Sequence, residues 1–250
     1  MTDEPTTLAT GPRPSALARI MAGLRARGLD HIEAGPTDRA LTPDDPGHPE
    51  YHRQQRARVA LDRWATAVPY RYRDATATHP QITAWANRVT ADLRSAGFLV
   101  LTGPVGTGKT HQAYGALRRI AAAGTTRFEM VATTAPDMYG LLRPGGSERG
   151  TEAELKRLCR VPLLLLDDLG TEKVSGWTEE ATTRLINDRY NTGLPLIITT
   201  NLLIRSGNGP NPDLVTRLGE RLASRLSQVA NLVHLDGPDR RRTIRQEHAS

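Results

Sequence analysis

Cysteine is all but missing from this chain of 250 residues, where Cys159 stands alone. A disulfide framework is excluded, and with no CxxC beside the seven scattered histidines a zinc site is not expected. No apolar run reaches the roughly 18 residues of a membrane-spanning helix. The opening stretch MTDEPTTLATGPRP lacks a charged region followed by an apolar core. Neither a membrane span nor a secretion signal is expected, and a cytoplasmic location is. Lysine is scarce as well, only 3 of the 33 basic residues. With a net charge of +6, phosphate contacts fall mostly to planar guanidinium forks, and the charge permits nucleic-acid binding without proving it. What is present is ordinary for a soluble globular protein: 38% hydrophobic and 24% charged residues, enough for one sizeable α/β core and a smaller appendage.

The most informative feature is Gly103-Pro104-Val105-Gly106-Thr107-Gly108-Lys109-Thr110, a complete G-x-x-x-x-G-K-[ST] loop between the apolar run 98–101 and a helix-competent stretch, 110–123. Its glycines let the backbone turn and bring N–H groups onto a β-phosphate. Lys109 is placed to reach the β- and γ-phosphates of ATP, and the Thr110 hydroxyl to ligate Mg²⁺ at a helix N-terminus. About 60 residues further on, the apolar run 161–166 ends in Asp167 and Asp168. At the carboxyl end of a strand beside the loop, Asp167 can hold the Mg²⁺ hydration shell while Asp168 polarises the attacking water. A third buried strand ends in Thr199-Thr200-Asn201, where Asn201 can reach the γ-phosphate or the lytic water.

Along the chain, residues 1–34 read as a polar, Pro-bearing tail and a short helix capped by Ser15. Leu17, Ile20, Met21 and Leu24 form its apolar stripe, a candidate partner-binding face. Residues 35–49, broken by four prolines, read as a linker. Residues 50–78 read as a basic helix (50–67) and connector, carrying Arg53, Arg56, Arg58, Arg63, Arg71 and Arg73, more a solvated face than a nucleic-acid contact. From residue 79 to 250, helices alternate with apolar strands expected at 98–101, 128–131, 161–167, 195–200 and 232–235, the pattern of a parallel sheet covered on both faces. Expected helices include 81–96, 151–160 with a Thr151–Glu154 capping box, and 179–191 with Trp177, Ala181, Leu185 and Ile186 on its apolar stripe.

The segments GPVGTGKT, LLLLDDLGTEKVSGWTEE, NDRYNTGLPLIITTN, GERLASRL and GPDRRR, in this order and spacing over about residues 69–245, resemble the AAA+ ATPases of the DnaC/DnaI helicase-loader group. IstB-type transposition ATPases share the architecture. Leu166-Asp167-Asp168-Leu169-Gly170, followed by Glu172, Lys173 and Trp177, tilts the likeness toward the loaders. The resemblance implies a P-loop AAA+ fold with a five-stranded parallel sheet, a small helical N-terminal segment and no full lid domain. It implies Lys109 and Thr110 as Walker A ligands, Asp167 and Asp168 as Walker B, and Asn201 as sensor 1. Arg225 is implied as an arginine finger entering a neighbouring subunit's site, and Arg241 as sensor 2. In initiator-type relatives an extra helix interrupts the crossover that here spans 134–150, so Arg143 and Arg149 are candidate contacts to single-stranded DNA. The expected function is ATP-dependent loading of a replicative helicase, bound through the N-terminal segment by a homo-oligomer with ATP between subunits. The alternatives are an IstB-type transposition helper and a nucleotide-switched adaptor with negligible turnover.

Overall fold

The computed structural model describes residues 15–28, 40–170, 175–203, 213–214, 216 and 219–239. The chain divides into two compact units at Thr42–Pro43. The first contains α1 (Ala16–Arg25), capped by Ser15, whose Oγ accepts from Ala18 N–H at 3.3 Å. No residue of α1 is buried, and Leu17 and Ile20 are 70% and 60% exposed.

The second unit opens with α2 (Pro49–Ala67), a 3-10 turn (Tyr70–Tyr72) and α3 (Pro80–Ala91). It continues through β1 (Phe98–Thr102), α4 (Lys109–Ala122), β2 (Met130–Thr134), α5 (Ala135–Leu142), α6 (Thr151–Arg160) and β3 (Leu163–Asp167). Then come α7 (Gly176–Thr192), β4 (Leu196–Thr199), α8 (Glu220–Val229) and β5 (Ala230–His234). The strands form one sheet in the order β2-β3-β4-β1-β5, every pair parallel. Strands β1, β3 and β4 are buried at every position, because alternate side chains enter two different cores. Leu99, Leu101, Leu165 and Ile197 pack with α2, α3 and α4 on one face. Phe98, Val100, Leu164, Leu166 and Ile198 pack with α5, α6, α7 and α8 on the other. Each such side chain contributes about 1.5–3 kcal/mol on burial, which is why the apolar runs become strands at the centre of three layers.

Several boundaries differ from the sequence expectation. The compact unit begins well before residue 79: α2 packs Ala60 and Trp64 into the core of β1 and α4, and the Trp64 indole N–H donates to Tyr114 O at 3.2 Å. Its arginines are not simply a solvated face either. Arg53 and Arg56 donate to the carbonyls of Ala123 and Gly124, just beyond the end of α4, and Arg63 to that of Phe128, ahead of β2. Helix α3 stops at Ala91 because Asp92 turns extended and its carboxylate accepts from Arg94 N–H at 3.0 Å. Strand β2 is shifted to 130–134, its register matching Thr134 to Asp167. The Thr151–Glu154 capping box is absent. Gly150, at φ 79°, caps α6, and the Glu154 carboxylate accepts from Arg157 instead. The capping box belongs to α7, between Ser175 and Thr178. The crossover 134–150, where initiator-type relatives carry an extra helix, holds α5, whose Ala135, Met138, Tyr139 and Leu142 are buried.

Candidate functional site

The parallel sheet brings the carboxyl ends of β1, β4 and β3 side by side, and the candidate residues follow from that order. After Thr102 the chain turns away from the sheet at Gly103, where an added Cβ would lie 2.0 Å from the Leu235 carbonyl oxygen, just past the end of β5. Any side chain here collides with backbone. At the far end of the loop Gly108 adopts φ 93° as N-cap of α4, a conformation open to glycine at little cost. Between them, the Thr107 hydroxyl donates to Pro104 O at 2.9 Å. Lys109, 5% exposed, folds back so that Nζ donates to Gly103 O at 2.8 Å and Pro104 O at 2.7 Å. A cation is thereby held inside a glycine-rich loop at a helix N-terminus, the arrangement that takes a phosphate group.

Thr110 begins the link to the carboxylate-bearing strand β3: its hydroxyl donates to Asp167 Oδ1 at 3.0 Å. The same oxygen accepts from Thr199 Oγ1 at 2.5 Å, and Thr199 Oγ1 in turn accepts from Asp168 N–H at 3.0 Å. Leu169 N–H donates to Thr199 O, Thr200 N–H to Leu101 O, and Thr200 Oγ1 to Leu169 O. These bonds pin the ends of the three strands together. Asp168 leaves the strand at φ 56°, the left-handed region, as the one non-glycine residue there among the described residues. Aspartate tolerates that region better than most side chains. Burial holds the Asp167 carboxyl above its ordinary range, and the charge of Asp168 adds to this. The Thr199 and Thr110 hydroxyls and Lys109 pull the other way. Tyr114, one turn along α4, stacks on Tyr72 at 4.9 Å, and burial together with Asp167 pushes its phenol up.

The donors fit Mg²⁺. A buried carboxylate bonded to a threonine hydroxyl offers hard oxygens, and burial raises its pKa. No group of three or more metal-ligating side chains occurs among the described residues. The cation suited to such a sparse set is one that keeps most of its waters and takes the rest of its shell from substrate phosphates.

Asn201 stands half-buried in the bend after β4. The other sequence candidates lie elsewhere. Arg225, on α8, donates to Asn187 Oδ1 and sits 5.8 Å from the Tyr190 ring centroid, both on α7. Arg143 and Arg149 are exposed in the loop between α5 and α6. Arg241, Glu172 and Lys173 fall outside the described residues. Thr199 was not foreseen. The signal available for it was a threonine at the inward end of an otherwise aliphatic strand. Asp239 was likewise not foreseen: its carboxylate lies against Gly106, where an added Cβ would meet Oδ1 at 2.0 Å. Residue 239 therefore lies against the phosphate loop.

Fold and site together define a P-loop ATP-binding protein of the AAA+ type. The chain belongs to the family described as IstB-like ATP binding protein, whose profile matches residues 51–247. Over 144 residues it is 31% identical to an ATP-binding protein in an insertion sequence of Mycobacterium tuberculosis, covering 57% of this chain and 55% of that relative. The match thus spans about half the relative's length. Among solved structures, the DnaC helicase loader superposes with a TM-score of 0.55 at 28% identity, covering 67% of this chain and 100% of that one. DnaI, at 21% identity and a TM-score of 0.51, covers 73% of this chain and 93% of its own and shares the fold.

Proposed function

We propose that this chain hydrolyses ATP with Mg²⁺ and uses ATP-dependent assembly on DNA to deliver a partner enzyme. The observation that carries the reading is the Thr110–Asp167 bond at 3.0 Å, which joins the phosphate loop to the acidic strand at the place a phosphate-bound cation requires. Lys109 meets the β- and γ-phosphates, Thr110 and Asp167 hold Mg²⁺ largely through water, and Asp168 orients the attacking water. Asn201 acts as sensor 1. Arg225 enters the neighbouring subunit's site and Arg241 acts on the subunit's own nucleotide. A cation supplied to the γ-phosphate in this way is worth about 10³–10⁵ in rate. Arg143 and Arg149, on the exposed loop after α5, contact DNA phosphates. The exposed stripe of α1 captures the partner, and the site of action is cytoplasmic. No helix among the described residues is long and apolar enough to cross a membrane.

The sequence tilted toward a helicase loader. Family membership and the insertion-sequence relative equally support a transposition helper, with a transposase as partner. The likeness to DnaC, over the full length of that chain, supports a loader as the second reading. The test measures ATP turnover of the purified chain with Mg²⁺, with and without duplex or single-stranded DNA. Capture on the full chain and on one lacking residues 1–34 then asks which partner is retained. Duplex-stimulated turnover with capture of a transposase supports the first reading, and single-strand stimulation with capture of a replicative helicase supports the second. Turnover that stays negligible under all conditions leaves an adaptor. Capture that survives loss of residues 1–34 removes α1 as the partner face.

A further inference from the structure

The face of α7 that meets α8 is polar where the rest of that contact is apolar. Asn187 and Tyr190, one turn apart on α7, oppose Arg225 and Gln228, one turn apart on α8. Arg225 Nη1 donates to Asn187 Oδ1, its guanidinium carbon stands 5.8 Å from the Tyr190 ring centroid, and Tyr190 Oη donates to Gln228 Oε1 at 3.2 Å. Below this layer Leu185 and Ile186 pack with Leu222 and Leu226, so the two helices are already joined without the polar set. The four residues add geometry to a contact that does not need them for cohesion.

From this arrangement we infer that Asn187 and Tyr190 are positioning residues for Arg225, holding its guanidinium half-exposed and aimed for the site of a neighbouring subunit. The inference rests on the reading of Arg225 as a finger. An arginine side chain loses much rotamer freedom when it is fixed, and a guanidinium fixed beforehand does not lose it again as charge develops on the transferred phosphoryl group. The choice of partners matters. Both are neutral, an amide oxygen and a ring face, so they orient the fork while leaving its positive charge uncompensated for the phosphate. A carboxylate at position 187 would grip harder and cancel the charge that the finger is there to deliver.

Asn187→Ala and Tyr190→Ala are each expected to lower kcat by about three- to tenfold with KM for ATP held within about twofold, the pattern of an interaction made in the transition state. Tyr190→Phe keeps the ring and restores most of the rate, and Asn187→Asp lowers kcat despite its near-identical shape. In an Arg225→Ala background the same substitutions change kcat no further. A pair with a structural role alone would lower the melting temperature equally in both backgrounds and leave kcat of the folded protein at the wild-type value, which overturns the inference. The two levels separate cleanly. If Arg225→Ala itself turns over ATP at the wild-type rate, the finger reading falls. If Arg225→Ala is slow while Asn187→Ala and Tyr190→Ala are both fast, the finger stands and its positioning by α7 does not. Asn187→Asp, nearly isosteric, keeps the test decisive should Tyr190→Ala fail to fold.

Discussion

A single hydroxyl, that of Thr199, stands between the two carboxylate-bearing residues at the end of β3. It is fully buried, donates to Asp167 and accepts from the Asp168 backbone. Thr199→Val keeps the shape and removes the bonds, leaving a part-buried N–H without an acceptor at a cost of about 1 kcal/mol. We expect ATP binding to persist and hydrolysis to fall by about tenfold, the equivalent of ~1.4 kcal/mol in the barrier. Wild-type turnover in the folded valine variant would sink this role. Asp167 permits a second prediction, on stability. Burial raises its pKa in the folded chain, so its contribution is full at low pH and is lost as pH rises through the folded value. Asp167→Asn removes that penalty while its amide oxygen still accepts from both threonines. Without nucleotide, the variant should melt about 2–4 °C above wild type at neutral pH, a change equivalent to ~1 kcal/mol in a domain of this size. The difference should shrink in acid, and Mg²⁺-dependent ATP binding should weaken. A melting difference that grows as pH falls would reverse the sign and count against it.

Among the elements, α7 does more than cover the sheet. Arg189 is fully buried on it and donates to the carbonyls of Leu158, Cys159, Val161, Pro162 and Pro195. These carbonyls end α6, enter β3 and enter β4, so one side chain ties three elements together at the end of the sheet away from the phosphate loop. Burial pulls its pKa down to about 10, which still leaves it charged at neutral pH. Arg189→Met fills the volume and strands the carbonyls. A loss of about 3–5 kcal/mol corresponds to a melting temperature lower by roughly 6–20 °C at 2–4 °C per kcal/mol. Arg189→Lys should recover only part of it, because an ammonium cannot address five acceptors in a planar fork. Thermal denaturation decides this: a drop under about 2 °C would show that the carbonyls find other partners. Beside Arg189, burial pushes the Cys159 thiol up to about 12, which makes the chain's one cysteine a poor nucleophile.

At the scale of the whole molecule, the site described on one chain is half of the proposed catalytic unit. Arg225 makes its described contacts on α7 and none with the phosphate loop or the end of β3. A finger acting across a subunit boundary predicts complementation. Arg225→Ala should bind ATP and hydrolyse it poorly, and Lys109→Ala should lose nucleotide binding. Mixed, the two variants form some interfaces that pair an intact loop with an intact finger, and part of the activity returns. Two inactive proteins that stay inactive where subunits demonstrably exchange would leave Arg225 a structural arginine.

What the sequence by itself determined is what a contiguous stretch of backbone can impose. A phosphate loop needs its glycines, lysine and threonine in consecutive positions, because the turn and the helix start are local geometry. Buried parallel strands need unbroken apolar runs, so the order of strands and helices and the acidic end of β3 were legible in residue order. The tertiary structure alone decided which distant groups share a hydrogen bond. Thr199 meets Asp167 because β4 lies between β1 and β3, an order that no periodicity encodes. Helix α2 joins the core because Trp64 finds α4, and Arg53 and Arg56 reach the carbonyls just past α4 for the same reason. Arg189 and the Asn187–Tyr190 cradle of Arg225 depend on α7 lying against α6 and α8. A buried polar group must be satisfied by whatever the packing brings within reach, and which residues those are is a property of the folded chain.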